Sequence, residues 1–420
     1  MRPDHRPKGR PHGKPKGPPR DARPFKPLDL KADDPTVVVS RKGQDRIARG
    51  QPWIYKSDVE QLSPGLKGGA AVKVVDGRNW FLARAFYSDA SQISLRVLSR
   101  DDVEVDREFL RARLQEALAL RQLAFPGVDA YRWVHGEADG LPGLVVDRYG
   151  DHLSVQFLAQ AMETRQELIV ELLEELLKPS CIVERSDVKA RAHENLPLRK
   201  GVLRGTPRAG LTYKEGAVEL GLDLLEGQKT GTFLDQRENH LLAGQYARGR
   251  CLDCFSYVGG FALQMAKAGG DVTAVEISDQ ASALIKSNAE RNSLRVNVVT
   301  TNAFDFLRDQ LDAGERYDTI VLDPPAFAKS KDAIDAAIRG YKEINLRAMQ
   351  LLQPGGVLIT ASCSYHVDEA AFEALLADAA ADAKKSVQIV ERRGAGRDHP
   401  VLVSLRETRY LKCYVLRVLG

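Results

Sequence analysis

The sequence lacks several features that would assign it to a large class of proteins. Its 420 residues contain no apolar stretch of about 18 residues, so no transmembrane helix is expected. The N-terminal residues lack the apolar core of a signal peptide. The 5 cysteines show no repeated spacing, and the pair Cys251 and Cys254 has no second Cys or His pair to complete a zinc site. A reduced, cytoplasmic protein without a bound metal is expected.

The composition is that of a chain with large cores, since 43% of the residues are hydrophobic and 28% are charged. This length predicts two or three domains. Residues 1–34 differ from the rest, because they consist mostly of Arg, Lys, Pro and Gly and are predicted to be disordered. Such a basic tail either binds phosphates without sequence specificity or only increases solubility, and the sequence leaves both roles open.

Residues 35–106 contain short runs of alternating apolar and polar residues, which indicate a small β-barrel. The pattern from Lys42 to Tyr55, together with residues 83–88, resembles a PUA domain, an RNA-binding pseudo-barrel. Under this resemblance three basic residues are candidate phosphate contacts: Lys42, Arg46 and Arg84. Each could equally belong to a solvated face.

Residues 107–212 are expected to form a small α+β domain, because an amphipathic helix at about 107–126 is followed by strand-like runs and a second helix. The sequence from Arg132 to Asp147 contains turn pairs between apolar strands, a hairpin signal. His135, Glu137 and Asp139 in this segment suggest a metal cluster at first sight. A turn with capping polar groups is the favoured interpretation, since no second set of ligands accompanies them.

Residues 213–420 alternate strands with helices, which predicts a doubly wound and mostly parallel sheet. Polar residues stand at the ends of successive strands: Asp253 at the end of the first, Glu276 at the end of the second, and Asn302-Ala303 at the end of the third. An acidic residue at the end of the second strand is placed to accept both ribose hydroxyls. Neither G-x-G-x-x-G nor a Walker loop is present, so a ligand with adenine and ribose but no phosphate is expected. That ligand is S-adenosylmethionine.

The fourth and fifth strands of this region end on further candidates. Asp323-Pro324-Pro325 forms a rigid turn after the fourth strand, and Cys363 follows the apolar run at residues 356–361. Ligands bind at this edge of an open α/β sheet, where a thiol can act as a nucleophile. Alone, a cysteine there would more often be a packing residue.

From about Thr36 to the C-terminus the chain resembles the RlmI-type class I methyltransferases, which modify cytosine C5 in large-subunit ribosomal RNA. The matching stretches are residues 227–237, 253–261, 323–327, 339–345, 362–364 and 398–400. The resemblance implies S-adenosylmethionine as cofactor. Cofactor-binding candidates are Lys229, Thr230, Phe233, Asp235, Arg237, Asp253, Phe255, Tyr257, Gly259, Glu276, Asn302, Ala303, Asp323 and Pro324.

The same resemblance suggests a mechanism in which the Cys363 thiolate attacks C6 of the cytosine, so that C5 can accept a methyl group. Asp323 would stabilise charge on the ring near N3. Some other RNA cytosine-C5 methyltransferases carry a second cysteine directly after the Pro-Pro pair, but here that residue is Ala326. The base that removes the C5 proton is therefore unknown. His399 and His366 are candidates, and either could equally be a hydrogen-bonded loop histidine.

Two alternatives stay open at this stage. The Asp-Pro-Pro turn with Phe327 is also typical of enzymes that methylate a purine nitrogen, in which case Cys363 would be structural. The chain could also be a non-catalytic RNA-binding assembly factor with a vestigial donor site. The expected partner is large-subunit ribosomal RNA, free or partly assembled, and homodimer formation is left open.

Overall fold

The computed structural model describes residues 34–227, 230–327 and 333–419. The expected disordered tail lies outside the described residues, except for Asp34. In the described part, three sheets and a hairpin follow one another along the chain. None of the helices found there is long and apolar enough to cross a membrane. No group of three or more His, Cys, Asp or Glu side chains in these ranges could hold a metal ion.

The first sheet forms from short strands whose apolar residues alternate, as the barrel pattern predicts. Its elements are β1 (Thr36–Val39), α1 (Arg41–Ala48), β2 (Trp53–Tyr55), β3 (Val59–Leu62), β4 (Ala71–Val75), β5 (Phe81–Tyr87) and β6 (Ile93–Ser99). The strand order is β2-β6-β5-β4-β1-β3, with β1 and β4 parallel and the other neighbours antiparallel. The inward-facing side chains form their own apolar core.

A second sheet and three helices make up the middle of the chain. Their bounds are α2 (Arg107–Ala124), β7 (Ala130–His135), β8 (Leu144–Tyr149), β9 (His152–Phe157), α3 (Gln160–Glu163), α4 (Gln166–Leu177), β10 (Cys181–Ser186) and β11 (Arg199–Gly205). The strand order is β11-β10-β9-β8-β7. Leu110 and Leu114 of α2 pack against this sheet around Trp133, so the helical spacing predicts the buried face correctly.

The last part of the chain begins with a hairpin and continues into the largest sheet. The hairpin is β12 (Thr212–Glu215) and β13 (Val218–Gly221). The sheet and its helices are α5 (Arg237–Tyr246), β14 (Arg250–Cys254), α6 (Gly260–Lys267), β15 (Asp271–Glu276), α7 (Asp279–Arg291), β16 (Asn297–Thr300), α8 (Ala303–Asp312), β17 (Tyr317–Leu322), α9 (Ile334–Leu351), β18 (Leu352–Ser362), α10 (Glu369–Asp382), β19 (Val387–Arg393) and β20 (Lys412–Val418).

The seven strands run in the order β16-β15-β14-β17-β18-β20-β19. The first five are parallel, and β20 is antiparallel to both of its neighbours. This confirms the expected doubly wound, mostly parallel sheet. The domain boundaries at 35–106, 107–212 and 213–420 stay a prediction.

The topology of this sheet positions the candidate site. The chain leaves β14 toward β15 and β16 on one side and then returns to β17 and β18 on the other. A crevice therefore opens at the carboxyl ends of β14 and β17. Helices cover both faces, with α8, α9 and α10 on one apolar core and α5, α6 and α7 on the other.

Candidate active site

A cavity of about 240 Å³ lies at the carboxyl ends of β14, β15, β17 and β18. It is lined by Thr232, Phe233, Asp235, Gln236, His240, Phe255, Ser256, Tyr257, Val258, Gly260, Phe261, Glu276, Ile277, Asp323, Pro324, Pro325, Cys363 and Leu411. The sequence candidates at the ends of three parallel strands are thus brought to one cavity. They are Glu276, Asp323 and Cys363.

The loop between β14 and α6 forms one wall of the cavity in an unusual backbone conformation. Phe255 and Tyr257 have φ angles of 65° and 50°, and Gly259 has 88°. Bulky residues rarely adopt positive φ, and each costs on the order of 1–3 kcal/mol unless the surroundings enforce it. Here the amides of Phe255 and Ser256 both donate to the carbonyl oxygen of Val275, at 3.0 and 3.1 Å, which holds the loop against β15.

Asp253 lies beneath this loop and not on the cavity wall. Its Oδ2 accepts hydrogen bonds from the Ser256 hydroxyl at 2.6 Å and the Ala262 amide at 3.0 Å. Burial raises the pKa of Asp253 to about 7, although the hydrogen bond from Ser256 and the charge of His240 oppose the shift. Its Oδ1 is buried and has no hydrogen-bond partner among the described residues. Asp253 therefore holds the loop in its conformation through Oδ2, and its Oδ1 can still accept a hydrogen bond.

Glu276 ends β15 and lines the cavity with both oxygens at the sheet edge. Oε2 accepts from the Tyr257 amide at 2.8 Å, and Oε1 accepts from the Ser278 amide at 2.9 Å. These two bonds fix the carboxylate in position. A carboxylate held at the end of the second strand is the arrangement that binds a ribose diol in open α/β folds.

Asp323 is held in the cavity by a residue that the sequence analysis missed. Its Oδ1 accepts a hydrogen bond from Gln236 Nε2 at 2.8 Å, and Gln236 Oε1 in turn accepts from Asn239 Nδ2 at 2.7 Å. Two prolines follow Asp323 and fix the direction of the turn. Phe327, by contrast, packs against Phe304 and Tyr341 with ring centroids 5.9 and 4.6 Å apart; it is not among the cavity-lining residues.

Cys363 follows directly after β18 and is the half-buried member of five cysteines, all within the described residues. The other four are buried in strands. Its Sγ lies 4.0 Å from the carbonyl oxygen of Pro324. The thiol and the Asp-Pro-Pro turn therefore meet across the same opening.

Several predicted cofactor contacts face elsewhere in this structure. The Thr230 hydroxyl donates to the Asp147 carboxylate of β8, and Arg237 donates to the Ala130 carbonyl oxygen at 2.7 Å, so both contact the middle sheet. Asn302 is exposed and caps α8 by accepting from the Phe304 amide at 2.8 Å. Ala303 and Gly259 do not line the cavity either, and Lys229 lies outside the described residues.

Other predicted contacts do line the cavity: Phe233, Asp235, Phe255, Tyr257 and Pro324. Asp235 accepts a hydrogen bond from the Tyr410 hydroxyl at 2.6 Å. The Phe233 and Tyr257 rings meet edge to face with centroids 5.1 Å apart, and this aromatic pair adds an apolar surface beside Glu276. The cofactor contacts as a set stay a prediction.

His240 is a further cavity residue that the sequence did not single out. Burial alone would lower its pKa, but Glu215, whose Oε2 lies 2.7 Å from Nδ1, raises the pKa above its ordinary value. A Cβ on Gly260 would lie 2.4 Å from this ring, so glycine is required for the close approach. A histidine inside the α5 pattern carries no sequence signal that distinguishes it from a core residue.

The two histidines considered as bases lie outside the cavity. His399 is buried, its Nδ1 lies 3.0 Å from Asp398 Oδ1, and its ring is 5.0 Å from that of His135. His366 borders a different depression, which is also lined by Tyr365 and Lys412.

The three candidate RNA contacts differ in their surroundings. Lys42 and Arg46 both pair with the buried Asp58, at 3.6 and 2.9 Å. Arg84 lies between two carboxylates, Asp34 and Asp102, which neutralise its charge.

Arg46 also borders a groove that runs from α1 to Tyr365 and the start of α10. Two adjoining depressions of about 390 and 580 Å³ share Tyr365, Val403 and Arg406. We call them the arginine groove. Its basic and aromatic members are Arg46, Arg49, Trp53, Tyr55, Tyr365, Arg406, Arg409 and Lys412, and its acidic members are Asp368, Glu369 and Glu407.

Comparison with known proteins identifies two families along the chain. Residues 37–100 match the PUA-like domain family. Residues 198–412, just over half of the chain, match the family of S-adenosylmethionine-dependent methyltransferases. The expectations of a PUA-like first domain and of S-adenosylmethionine as cofactor are confirmed.

The relatives match over nearly the whole chain. The ribosomal RNA large subunit methyltransferase I of Tolumonas auensis is 39% identical over 394 residues, covering 91% of this chain and 99% of the relative. The protein of the same name from Klebsiella pneumoniae strain 342 is also 39% identical, covering 92% and 98%. A solved methyltransferase structure complexed with SAH aligns with a TM-score of 0.78 at 21% identity, over 91% of this chain and 100% of that one. The last likeness shows the fold.

Proposed function

The chain belongs to the ribosomal RNA large subunit methyltransferase I family, and we propose that it methylates C5 of a cytosine in large-subunit ribosomal RNA through a covalent adduct at Cys363. The observation that carries the proposal is the position of the thiol. Cys363 opens into the cavity that also contains Glu276 and the Asp323 turn. A purely structural cysteine would have no need of this opening.

The residues present fit S-adenosylmethionine. Glu276 offers two acceptors to a ribose diol, and Phe233 and Tyr257 offer apolar surface to an adenine. When bound, the cofactor supplies an electrophilic methyl group on a sulfonium. The chain itself must then position the base and make its C5 nucleophilic.

Cys363 performs the activating step in this proposal. Cytosine C5 is a poor nucleophile, and addition of a thiolate at C6 places an electron pair on C5. Asp323 is oriented by Gln236. In its protonated form the carboxyl group donates a hydrogen bond to the ring near N3 and stabilises the negative charge that develops there. Ala326 supplies no second thiol, so the adduct is released by a base other than cysteine.

The alternative function, methylation of a purine nitrogen, would use the Phe327 ring beside the target base, and this geometry does not place the ring there. A target base could stack on Phe327 only if this ring lined the cavity, and it does not. Here Phe327 packs instead among Phe255, Phe304 and Tyr341. The cavity favours a reaction that uses the thiol.

The arginine groove gives the RNA a route to Cys363. Arg49, Arg406 and Arg409 are exposed, and none is ion-paired to a carboxylate in the described ranges. Exposed guanidinium groups bind phosphates, and the aromatic rings of Trp53 and Tyr365 offer surfaces on which bases can stack. This arrangement supports single-stranded RNA as the substrate form.

RNA that contains 5-fluorocytidine tests the proposal directly. A base cannot remove fluorine from C5 as it removes a proton, so the C6–Sγ adduct should persist after methyl transfer. We expect a denaturant-stable protein–RNA complex with the unchanged chain and none with Cys363→Ala. Cys181→Ala, at a buried cysteine of the middle sheet, is the matched control and should still form the complex. An unchanged chain that forms no complex, or full methyl transfer by Cys363→Ala, would refute the cysteine mechanism.

A further inference from the structure

Strand β20 begins with a buried lysine beside Cys363. Lys412 pairs across the sheet with Ser362, the last residue of β18, and is only 2% exposed. Its Nζ donates hydrogen bonds to the carbonyl oxygens of Ser364 at 2.7 Å and Tyr410 at 2.9 Å. The lysine is therefore held against the residues on both sides of Cys363.

The charge of Lys412 has no carboxylate counter-ion within ion-pairing distance among the described residues. The two carbonyl groups satisfy two of its three N–H donors but leave the charge uncompensated. Asp368 and Glu369, at the start of α10, are acidic groups that act on it, but both are exposed and their effect is screened by water. A buried charge without a counter-ion is strongly unfavourable. The site thus favours an anion close to Nζ.

We propose that the Lys412 ammonium is the counter-ion of the Cys363 thiolate, both when the thiolate attacks and when it leaves. This inference rests on the proposed function, in which Cys363 is the nucleophile. A nearby cation stabilises a thiolate relative to a thiol and so increases the reactive fraction at neutral pH. Lys412 acts through Cys363 and is a positioning residue.

The covalent cycle balances without a proton passing through Lys412. The Sγ electron pair forms the bond to C6, and the C5–C6 π pair moves to C5 and forms the bond to the methyl group. A base then removes the C5 proton, the electrons of the C5–H bond restore the C5–C6 double bond, and the C6–Sγ bond breaks with its pair returning to sulfur. Lys412 keeps its proton while negative charge leaves and returns to Sγ.

Other titratable groups also face this thiol and lysine. Asp323 lines the cavity with Cys363. The proposed function uses its protonated carboxyl group, which carries no charge to oppose the thiolate. Tyr341 of α9 stays neutral near pH 7, since burial raises its pKa. The remaining groups lie in the arginine groove and on α10: His366, Asp368, Glu369 and Arg409.

Burial lowers the pKa of Lys412 to about 8, and the charge of Cys363 opposes that shift. The side chain is therefore mostly protonated at pH 7, where the thiolate needs it. Above about pH 8 an isolated Lys412 would lose its proton, but a neighbouring thiolate retains that proton on Nζ. The pair is expected to titrate together.

The test measures the reactivity of the Cys363 thiol and not the rate of methyl transfer. The full chain, without RNA, is alkylated with iodoacetamide between about pH 5 and about pH 9, and modification of Cys363 is followed by peptide mass spectrometry. We expect Lys412→Met to slow the reaction at pH 7 by about tenfold and to move the midpoint of the profile upward by about one unit. Lys342→Met, at a lysine of α9 paired with Asp382 at 2.8 Å, is the matched control and should leave the profile unchanged.

The outcomes test the counter-ion role of Lys412 independently of the proposed methylation of cytosine C5. If Lys412→Met fails to fold, as judged by thermal unfolding, the profile of the unchanged chain is sufficient. A Cys363 midpoint near the ordinary value of about 8.5 would overturn the counter-ion role. A midpoint that is lowered in the unchanged chain and raised in Lys412→Met supports it, even if the 5-fluorocytidine complex does not form. Formation of that complex together with an unperturbed thiol would retain the cysteine mechanism and remove Lys412 from it.

Discussion

The carboxyl ends of β14 and β18 border one cavity but are built in opposite ways. At β14, backbone amides and a hydroxyl donate to carboxylates, as in the bonds from Ala262 to Asp253 and from Tyr257 to Glu276. At β18, backbone carbonyl oxygens accept from a buried cation, Lys412. The first end concentrates acceptors and holds a strained loop in place, whereas the second concentrates positive charge beside a thiol.

The β14 end is therefore suited to binding the cofactor, and the β18 end is suited to the reaction of the thiol. Carboxylates fixed by amides are suited to hydroxyl and ammonium groups, which a methyl donor carries. A cation beside a sulfur atom is suited to the formation of an anionic nucleophile. If the two strand ends are independent, a substitution at one should leave the property of the other unchanged.

The largest effect is expected from Glu276→Gln. The amide nitrogen that replaces one oxygen cannot accept a hydrogen bond from a ribose hydroxyl, and a bond to a charged group is worth about 1.5–3 kcal/mol. We expect the dissociation constant for S-adenosylmethionine, measured by calorimetry, to rise about 10- to 100-fold. The alkylation rate of Cys363 should not change.

Glu290→Gln, at an exposed residue of α7, controls for the loss of one negative charge. Cys363→Ala should give the converse result, with normal cofactor binding and no methyl transfer. A Glu276→Gln variant that binds the cofactor normally would show that the carboxyl ends of β14 and β15 do not form the cofactor site.

The sequence predicts the strand ends well because hydrophobic runs separated by helices define them. The fourth parallel strand is expected at residues 319–322 and is found at Tyr317–Leu322, and Cys363 follows its strand as expected. Contacts within one strand–loop–helix unit are therefore accessible to sequence reasoning. The bond from the Ser278 amide to Glu276 is of this local kind, whereas the bond from the Tyr257 amide joins β15 to the loop after β14.

Contacts that depend on pairing between distant segments are not predictable in this way. Lys412 approaches Cys363 only because β20 inserts antiparallel beside β18 and places it opposite Ser362. Thr230 and Arg237 match a cofactor stretch in sequence, yet the middle sheet provides Asp147 and the Ala130 carbonyl as their partners. The sequence pattern of one segment does not show which distant sheet its loop will contact.

A smaller effect is expected from Asp253→Asn, and it depends on pH. The pKa of Asp253 is raised to about 7 in the folded chain, from about 4 in an unfolded one. Between these values the unfolded chain loses its proton first, so this group makes the free energy of unfolding fall as pH rises from about 4 to about 7. Asparagine keeps an oxygen for Ser256 and Ala262 but cannot ionise. We expect the variant to lose this downward contribution, so that its free energy of unfolding relative to the unchanged chain rises with pH in urea titrations across this range.

Asp312→Asn, at an exposed position at the end of α8, should leave the profile as it is in the unchanged chain. An Asp253→Asn profile with the same slope as the unchanged chain would mean that Asp253 is ionised beneath the loop. In that case the β14 end would hold a permanent charge, and its contrast with the β18 end would become sharper.

The smallest effect concerns the arginine groove, which extends the positive character of the β18 end toward the first sheet. Arg406 is exposed and unpaired among the described residues, whereas Arg84 is enclosed by Asp34 and Asp102. Each phosphate contact contributes about one unit to the slope of log affinity against log salt concentration. We expect Arg406→Ala to reduce that slope for single-stranded RNA by about one unit and Arg84→Ala to leave it unchanged. A slope that is unchanged in Arg406→Ala and reduced in Arg84→Ala would assign the phosphate contact to the first sheet and not to the groove.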